Sequence, residues 1–180
     1  MNYTLVPNGN SIANVTGDAA WAALSTGAWC DYSNLTTNST KYGHLYNWYA
    51  VNDNRQIAPE GWHIATNAEW KILITFVTSN LDGSLNEAKA ISSSAYWATS
   101  NTVGGVGNNP ALNNYTGFSA LPGGCRTDVG LFKQSQQGYW WCINTDGTYA
   151  YYVQIDNSGS GVGIGNNYSK YGYSVRCIKD

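Results

Sequence analysis

Two aromatic runs near the end of the chain, Gly138-Tyr139-Trp140-Trp141-Cys142 and Gly172-Tyr173-Ser174-Val175-Arg176-Cys177, bracket a long polar segment. Runs rich in aromatic and β-branched residues and bounded by glycine read as strands packed on a core. Residues 143–171 are therefore held at both ends by a rigid frame. They consist almost wholly of Asn, Ser, Thr, Tyr, Asp, Gly and small β-branched residues. Tyr offers wide, stiff contact area at small entropic cost, while Ser, Gly and Asn offer adaptable hydrogen bonds. The segment lacks the His, Cys and acid clusters of a catalytic centre. Its chemistry points to a binding surface.

The rest of the chain is suited to hold such a surface up. At 180 residues it is expected to form one domain with a proper core. Only 11% of residues are charged and the net charge is −2, so the basic footprint of a nucleic-acid binder is missing. Eight Trp and fourteen Tyr argue against disorder, because disordered chains are poor in aromatics. No apolar stretch approaches a membrane span, and no basic n-region or apolar h-region follows Met1, so no signal peptide is read. The four cysteines, Cys30, Cys125, Cys142 and Cys177, lack C-x-x-C spacing, which argues against zinc. Buried thiols and disulfides both remain open. Sequons stand at Asn2, Asn14, Asn34, Asn38, Asn114 and Asn167, several of which chance alone would supply in so Asn-rich a chain.

Two helices are predicted. The first spans 67–80 behind a capping box, Thr66-Asn67-Ala68-Glu69, with Trp70, Leu73, Ile74 and Val77 on one face. The second starts near Thr16 to Asp18, runs through Trp21 and Leu24, and stops at Gly27. A short third turn is expected over 85–91. Strands are expected at 28–32, 45–50, 62–65, 118–121, 125–128, 138–143, 150–155 and 173–179, with 101–114 as a loop. The pattern is α+β, a mostly antiparallel and heavily decorated sheet.

Several motifs line up in order: Asn8-Gly9-Asn10-Ser11-Ile12, Trp21-Ala22-Ala23-Leu24, Ala28-Trp29-Cys30-Asp31-Tyr32, Tyr42-Gly43-His44-Leu45-Tyr46-Asn47-Trp48-Tyr49-Ala50-Val51, Ala58-Pro59-Glu60-Gly61-Trp62-His63, Gly117-Phe118-Ser119-Ala120-Leu121-Pro122-Gly123-Gly124, and the two aromatic runs. Across nearly the whole chain this resembles the Fibrobacter succinogenes major paralogous domain, a family similar to the C-type-lectin and formylglycine-generating-enzyme folds. The resemblance implies a C-type-lectin-like fold, two helices flanking a twisted antiparallel sheet. Some proteins of this kind are variable proteins of diversity-generating retroelements, whose carboxy-terminal segment is rewritten by adenine mutagenesis. Asn codons can then become most residues, but never Lys, Gln, Glu, Met or Trp. Between Cys142 and Tyr171 only Gln154 and Lys170 belong to that set.

The resemblance thus implies contact residues that project from the sheet within this segment: Ile143, Asn144, Asp146, Tyr149, Tyr152, Asp156, Ser158, Ser160, Val162, Ile164, Asn166, Tyr168 and Tyr171. Strand alternation turns part of that set inward. The expected partner is a protein or cell-surface ligand, without nucleic acid, membrane insertion, metal or cofactor, and the expected location is outside the cell or on a cell or virion surface. Trp48, Trp62, Trp70, Trp140 and Trp141 are expected in the core. His44, His63, Arg126 and Arg176 are expected in structural roles, with no nucleophile elbow beside either histidine. The Glu-Pro-Asn and Trp-Asn-Asp signatures of calcium-dependent sugar binding are absent. An oxidase of the formylglycine-generating type, using Cys125 and Cys142, is the enzymatic alternative.

Overall fold

The computed structural model describes residues 11–130, 132–133 and 136–180. The chain runs β1 (Ala13–Asn14), α1 (Asp18–Ala22), β2 (Ala28–Cys30), α2 (Thr36–Tyr42), β3 (Leu45–Asn47), α3 (Trp48–Val51), β4 (Trp62–Ile64), α4 (Asn67–Asn80) and α5 (Glu87–Ile91). It continues β5 (Cys125–Arg126), β6 (Phe132–Lys133), β7 (Gln137–Thr145), β8 (Ala150–Asp156), β9 (Gly163–Asn167), β10 (Gly172–Tyr173) and β11 (Cys177–Lys179). The sequon at Asn2 and the start of the Asn8 motif lie outside the described residues.

The α+β expectation holds, but with five helices among the described residues and three sheets rather than one. One sheet has the order β1-β2-β3-β10-β5-β6, another pairs β11 with β4, and the third is the meander β7-β8-β9. All pairs are antiparallel except β1 with β2. The expected strand at 173–179 is broken because this segment serves all three sheets in turn. Tyr173 pairs with Tyr46, Ser174 bridges Trp140, and Cys177 pairs with Ile64.

Helix α4 forms where its periodicity placed it. Thr66 Oγ1 accepts from Glu69 N at 3.1 Å, and Glu69 Oε2 accepts from Thr66 N at 2.8 Å, closing the capping box. Other expectations fail for local reasons. The 45–50 strand ends at Asn47, whose side chain accepts from Ala50 N and starts α3. The 118–121 run forms no strand; Ser119 sits at φ 57°, a left-handed conformation that breaks an extended run. Trp62 is not core but 39% exposed on β4, which has only β11 beside it.

The β7-β8-β9 sheet lies between two cores. Tyr139, Trp141, Ala150 and Tyr152 face one, which also holds Tyr46, Trp48, Val51, Ile64 and Tyr173. Trp140, Cys142, Val153 and Ile155 face the other, under Trp70 and Val77 of α4 and Ala88 and Ile91 of α5. Tyr173 is the hub of the first core, stacked on Tyr139 at 4.9 Å and against Trp141 at 4.3 Å. Indole N–H groups stitch loops to this framework: Trp141 donates to Tyr46 O, Trp48 to Cys142 O, and Trp97 to Ala120 O. Such polar handles let Trp and Tyr build a core that is poor in Leu and Met.

Loop 101–114 is anchored rather than free. Lys89 is buried on α5, and its ammonium donates to the carbonyls of Asn108 at 2.6 Å, Gly105 at 3.3 Å and Asn109 at 3.4 Å. Arg126 is fully buried, donates to Gly130 O, Val15 O and Thr16 O, and meets Asp18 at 2.9 Å. Among the described residues, no helix is long and apolar enough to cross a membrane.

Candidate binding site

Residues 143–171 are the end of β7, all of β8 and β9, and the turns between them. The β7–β8 turn is built by Asp146, whose Oδ1 accepts from Thr148 N at 2.9 Å and Tyr149 N at 2.7 Å. This is a side-chain-closed turn, the conformation that short acidic residues favour. Asp146 Oδ2 also accepts from Asn166 Nδ2 at 2.9 Å, tying β9 to the tip. The Tyr149 and Tyr168 rings meet edge to face at 5.1 Å, and Tyr168 remains 53% exposed. Hydrogen bonds from Tyr149 N and Thr148 N hold the Asp146 carboxyl below its usual range.

The expected contact residues fall into three groups. Asn144, Asp146, Tyr149, Asn166 and Tyr168 come together at the hairpin tip, with Ile143 just below them, 37% exposed. Ser158 and Ser160 are exposed, but at the other end of β8, about 20 Å away at roughly 3.3 Å per strand residue. Tyr152 and Tyr171 pack on the first core and Val162 and Ile164 on the second, all half-buried. Asp156 binds Gln137 Nε2 at 2.6 Å and the N–H of Ser158, which shapes the β8–β9 turn. Strand alternation explains the inward turn of Tyr152 on β8 and Ile164 on β9, since successive side chains face opposite cores.

One exposed residue has a structural task that its type did not announce. Asn144 Oδ1 accepts from Asn67 N at 2.8 Å, satisfying a donor at the start of α4. Beside the tip lies a cleft of about 280 Å³, lined by Tyr49, Asp128, Thr148, Tyr168, Ser169 and Lys170. Tyr49 on α3 and Asp128 after β5 belong to the frame, so this wall was missed in sequence. Only the tertiary fold brings them to the tip.

Of the two residues outside the set that adenine mutagenesis of an Asn codon can reach, Lys170 is committed to the frame and Gln154 packs within the segment. Lys170 Nζ donates to Ala22 O at 2.6 Å, and Lys170 O accepts from Trp21 Nε1 at 2.7 Å. Gln154 lies along β9, its Cγ 3.0 Å from where a Cβ on Gly163 would stand. Gly165 likewise leaves room for the Tyr152 ring; a Cβ there would come within 2.8 Å of its hydroxyl.

The remaining candidates for chemistry are occupied. His44 Nδ1 meets Asp31 at 2.7 Å, against the Trp29 ring, and burial keeps its pKa below the ordinary imidazole value. His63 bridges Asp180 at 2.6 Å and Glu69 at 2.7 Å, which raise its pKa. All four cysteines are free thiols. Cys125 and Cys142 belong to different cores, on opposite faces of the β7-β8-β9 sheet, and burial pushes Cys142 up to about 12. Such a thiol is a poor nucleophile at neutral pH. Among the described residues, no three His, Cys, Asp or Glu side chains form a group able to hold a metal.

No curated protein and no solved structure matches the chain. The sequence model of the Fibrobacter succinogenes major domain, in contrast, matches residues 1–179, and the chain belongs to that family.

Proposed function

We propose that this is a binding protein without catalysis, displaying a diversified carboxy-terminal surface on a C-type-lectin-like scaffold. It acts outside the cell or on a cell or virion surface, against a protein or cell-surface ligand. Family membership and the loop-rich antiparallel architecture support the scaffold. The observation that carries the function is the hairpin tip, where Tyr149 and Tyr168 stand exposed or half-buried beside a cleft on a sheet locked between two cores. A rigid support of this kind meets the ordering cost of binding before any ligand arrives. The commitment of Lys170 to the frame supports retroelement diversification, because Lys is a residue that such mutagenesis does not produce.

The test is selection of a partner for the purified chain, followed by alanine scanning. Tyr149→Ala and Tyr168→Ala should each cost about 2 kcal/mol of binding, as aromatic anchors do. Loss of binding that maps to residues 100–115 would contradict the assignment. Diversification is read separately, from the DNA beside the gene. A near-copy of its last stretch, differing almost only at adenines, should lie next to a reverse-transcriptase gene. Without that copy the chain is a non-diversified binding module of the same family.

A further inference from the structure

The end of α2 and residues 174–176 enclose a cleft of about 260 Å³, walled also by Leu121 and Trp140. All its lining residues lie outside 142–171, and none of them is Asp or Glu. Two cations line it, Lys41 and Arg176, together with the hydroxyl-bearing Ser39, Thr40 and Ser174.

The state of Arg176 is unusual among the arginines of this chain. It has three arginines. Arg55 pairs with Asp53 at 2.6 Å and Arg126 with Asp18 at 2.9 Å. Arg176 has no carboxylate partner among the described residues. Its Nη2 has only long carbonyl contacts, 3.4 Å to Ser119 O and 3.5 Å to Phe118 O, and its guanidinium lies 5.0 Å over the Phe118 ring. Those lengths exceed a good N–H···O bond. Burial alone lowers its pKa, as expected for a desolvated cation, although Arg176 also borders a second cleft that Glu69 and Phe118 line. Lys41 also lacks a carboxylate, and its Nζ stands 4.0 Å over Tyr96 and 4.8 Å over Tyr42.

A half-buried guanidinium is stabilised most by a planar or tetrahedral oxyanion that accepts two of its N–H groups. We propose that this cleft binds a small oxyanion, the carboxylate, phosphate or sulfate of an acidic solute, through Arg176 and Lys41. The site stands apart from the hairpin tip and does not rest on the function proposed above.

Calorimetric titration of the whole chain with phosphate, sulfate and glucuronate, at constant ionic strength and against chloride, tests it. Saturable binding in the millimolar range or tighter is expected for at least one anion. Arg176→Gln should abolish it and Lys41→Met weaken it about tenfold, whereas Tyr168→Ala should leave it unchanged. Binding of phosphate or sulfate alone assigns a tetrahedral oxyanion, and binding of glucuronate alone assigns the carboxylate of an acidic sugar. Lys41 is exposed, so Lys41→Met keeps the test decisive if Arg176→Gln does not fold. No saturable binding of any probe, or native affinity in Lys41→Met, overturns the proposal.

Discussion

Trp140 and Trp141 are neighbours in the chain and anchor different cores. Trp140 lies 3% exposed against the Trp70 ring, 6.0 Å between centroids, while Trp141 is fully buried against Tyr173. Truncating Trp140 leaves a cavity beneath α4 that its rigid neighbours cannot close. Trp140→Ala is expected to destabilise the fold by about 3–5 kcal/mol, measured by chemical denaturation. Much of this scale was legible in the sequence. Trp48, Trp70, Trp140 and Trp141 are core as their type implied, and Arg126 does bond loop carbonyls. Trp62 is exposed because its strand sits in a two-stranded sheet, which its sequence does not reveal. Asn144 reads as a free surface residue and is instead an acceptor for the start of α4. A hydrogen bond 77 residues away in sequence leaves no local signal.

Among the elements, α4 was readable because the capping box and the helical period agree. Helix α2 was not, since Thr36–Tyr42 carries no apolar stripe. Strand β9 was not readable either, because its glycines show their purpose only once the Tyr152 ring lies over Gly165. The β7–β8 hairpin carries a pH dependence of definite sign. Asp146 has a depressed pKa when folded, so its contribution to the turn is present above the unfolded carboxylate pKa, about 3.9. It is lost as pH falls through the lower folded value. Amide exchange at Thr148 and Tyr149 should therefore lose protection in acid before the β8 core does. In Asp146→Asn that acid step should vanish. An unchanged acid step in the variant would place its origin elsewhere.

At the scale of the molecule, the fold class was legible and the topology was not. The α+β pattern follows from element types. The division into three sheets stitched by residues 172–179 depends on long-range pairings that no window of sequence contains. The proposed surface was legible as a segment, though not as a site. Tertiary packing turns Tyr152, Tyr171, Val162 and Ile164 toward the cores, moves Ser158 and Ser160 to the far end of β8, and brings Tyr49 and Asp128 to the tip. On this reading the tip can change its side chains while the frame stays folded. The direct measurement is the unfolding free energy of a panel of variants randomised together at Thr148, Tyr149, Asn166 and Tyr168. Most members should lie within about 1 kcal/mol of the parent, as substitutions away from core and caps do. A panel whose members typically lose as much stability as Trp140→Ala would contradict the account.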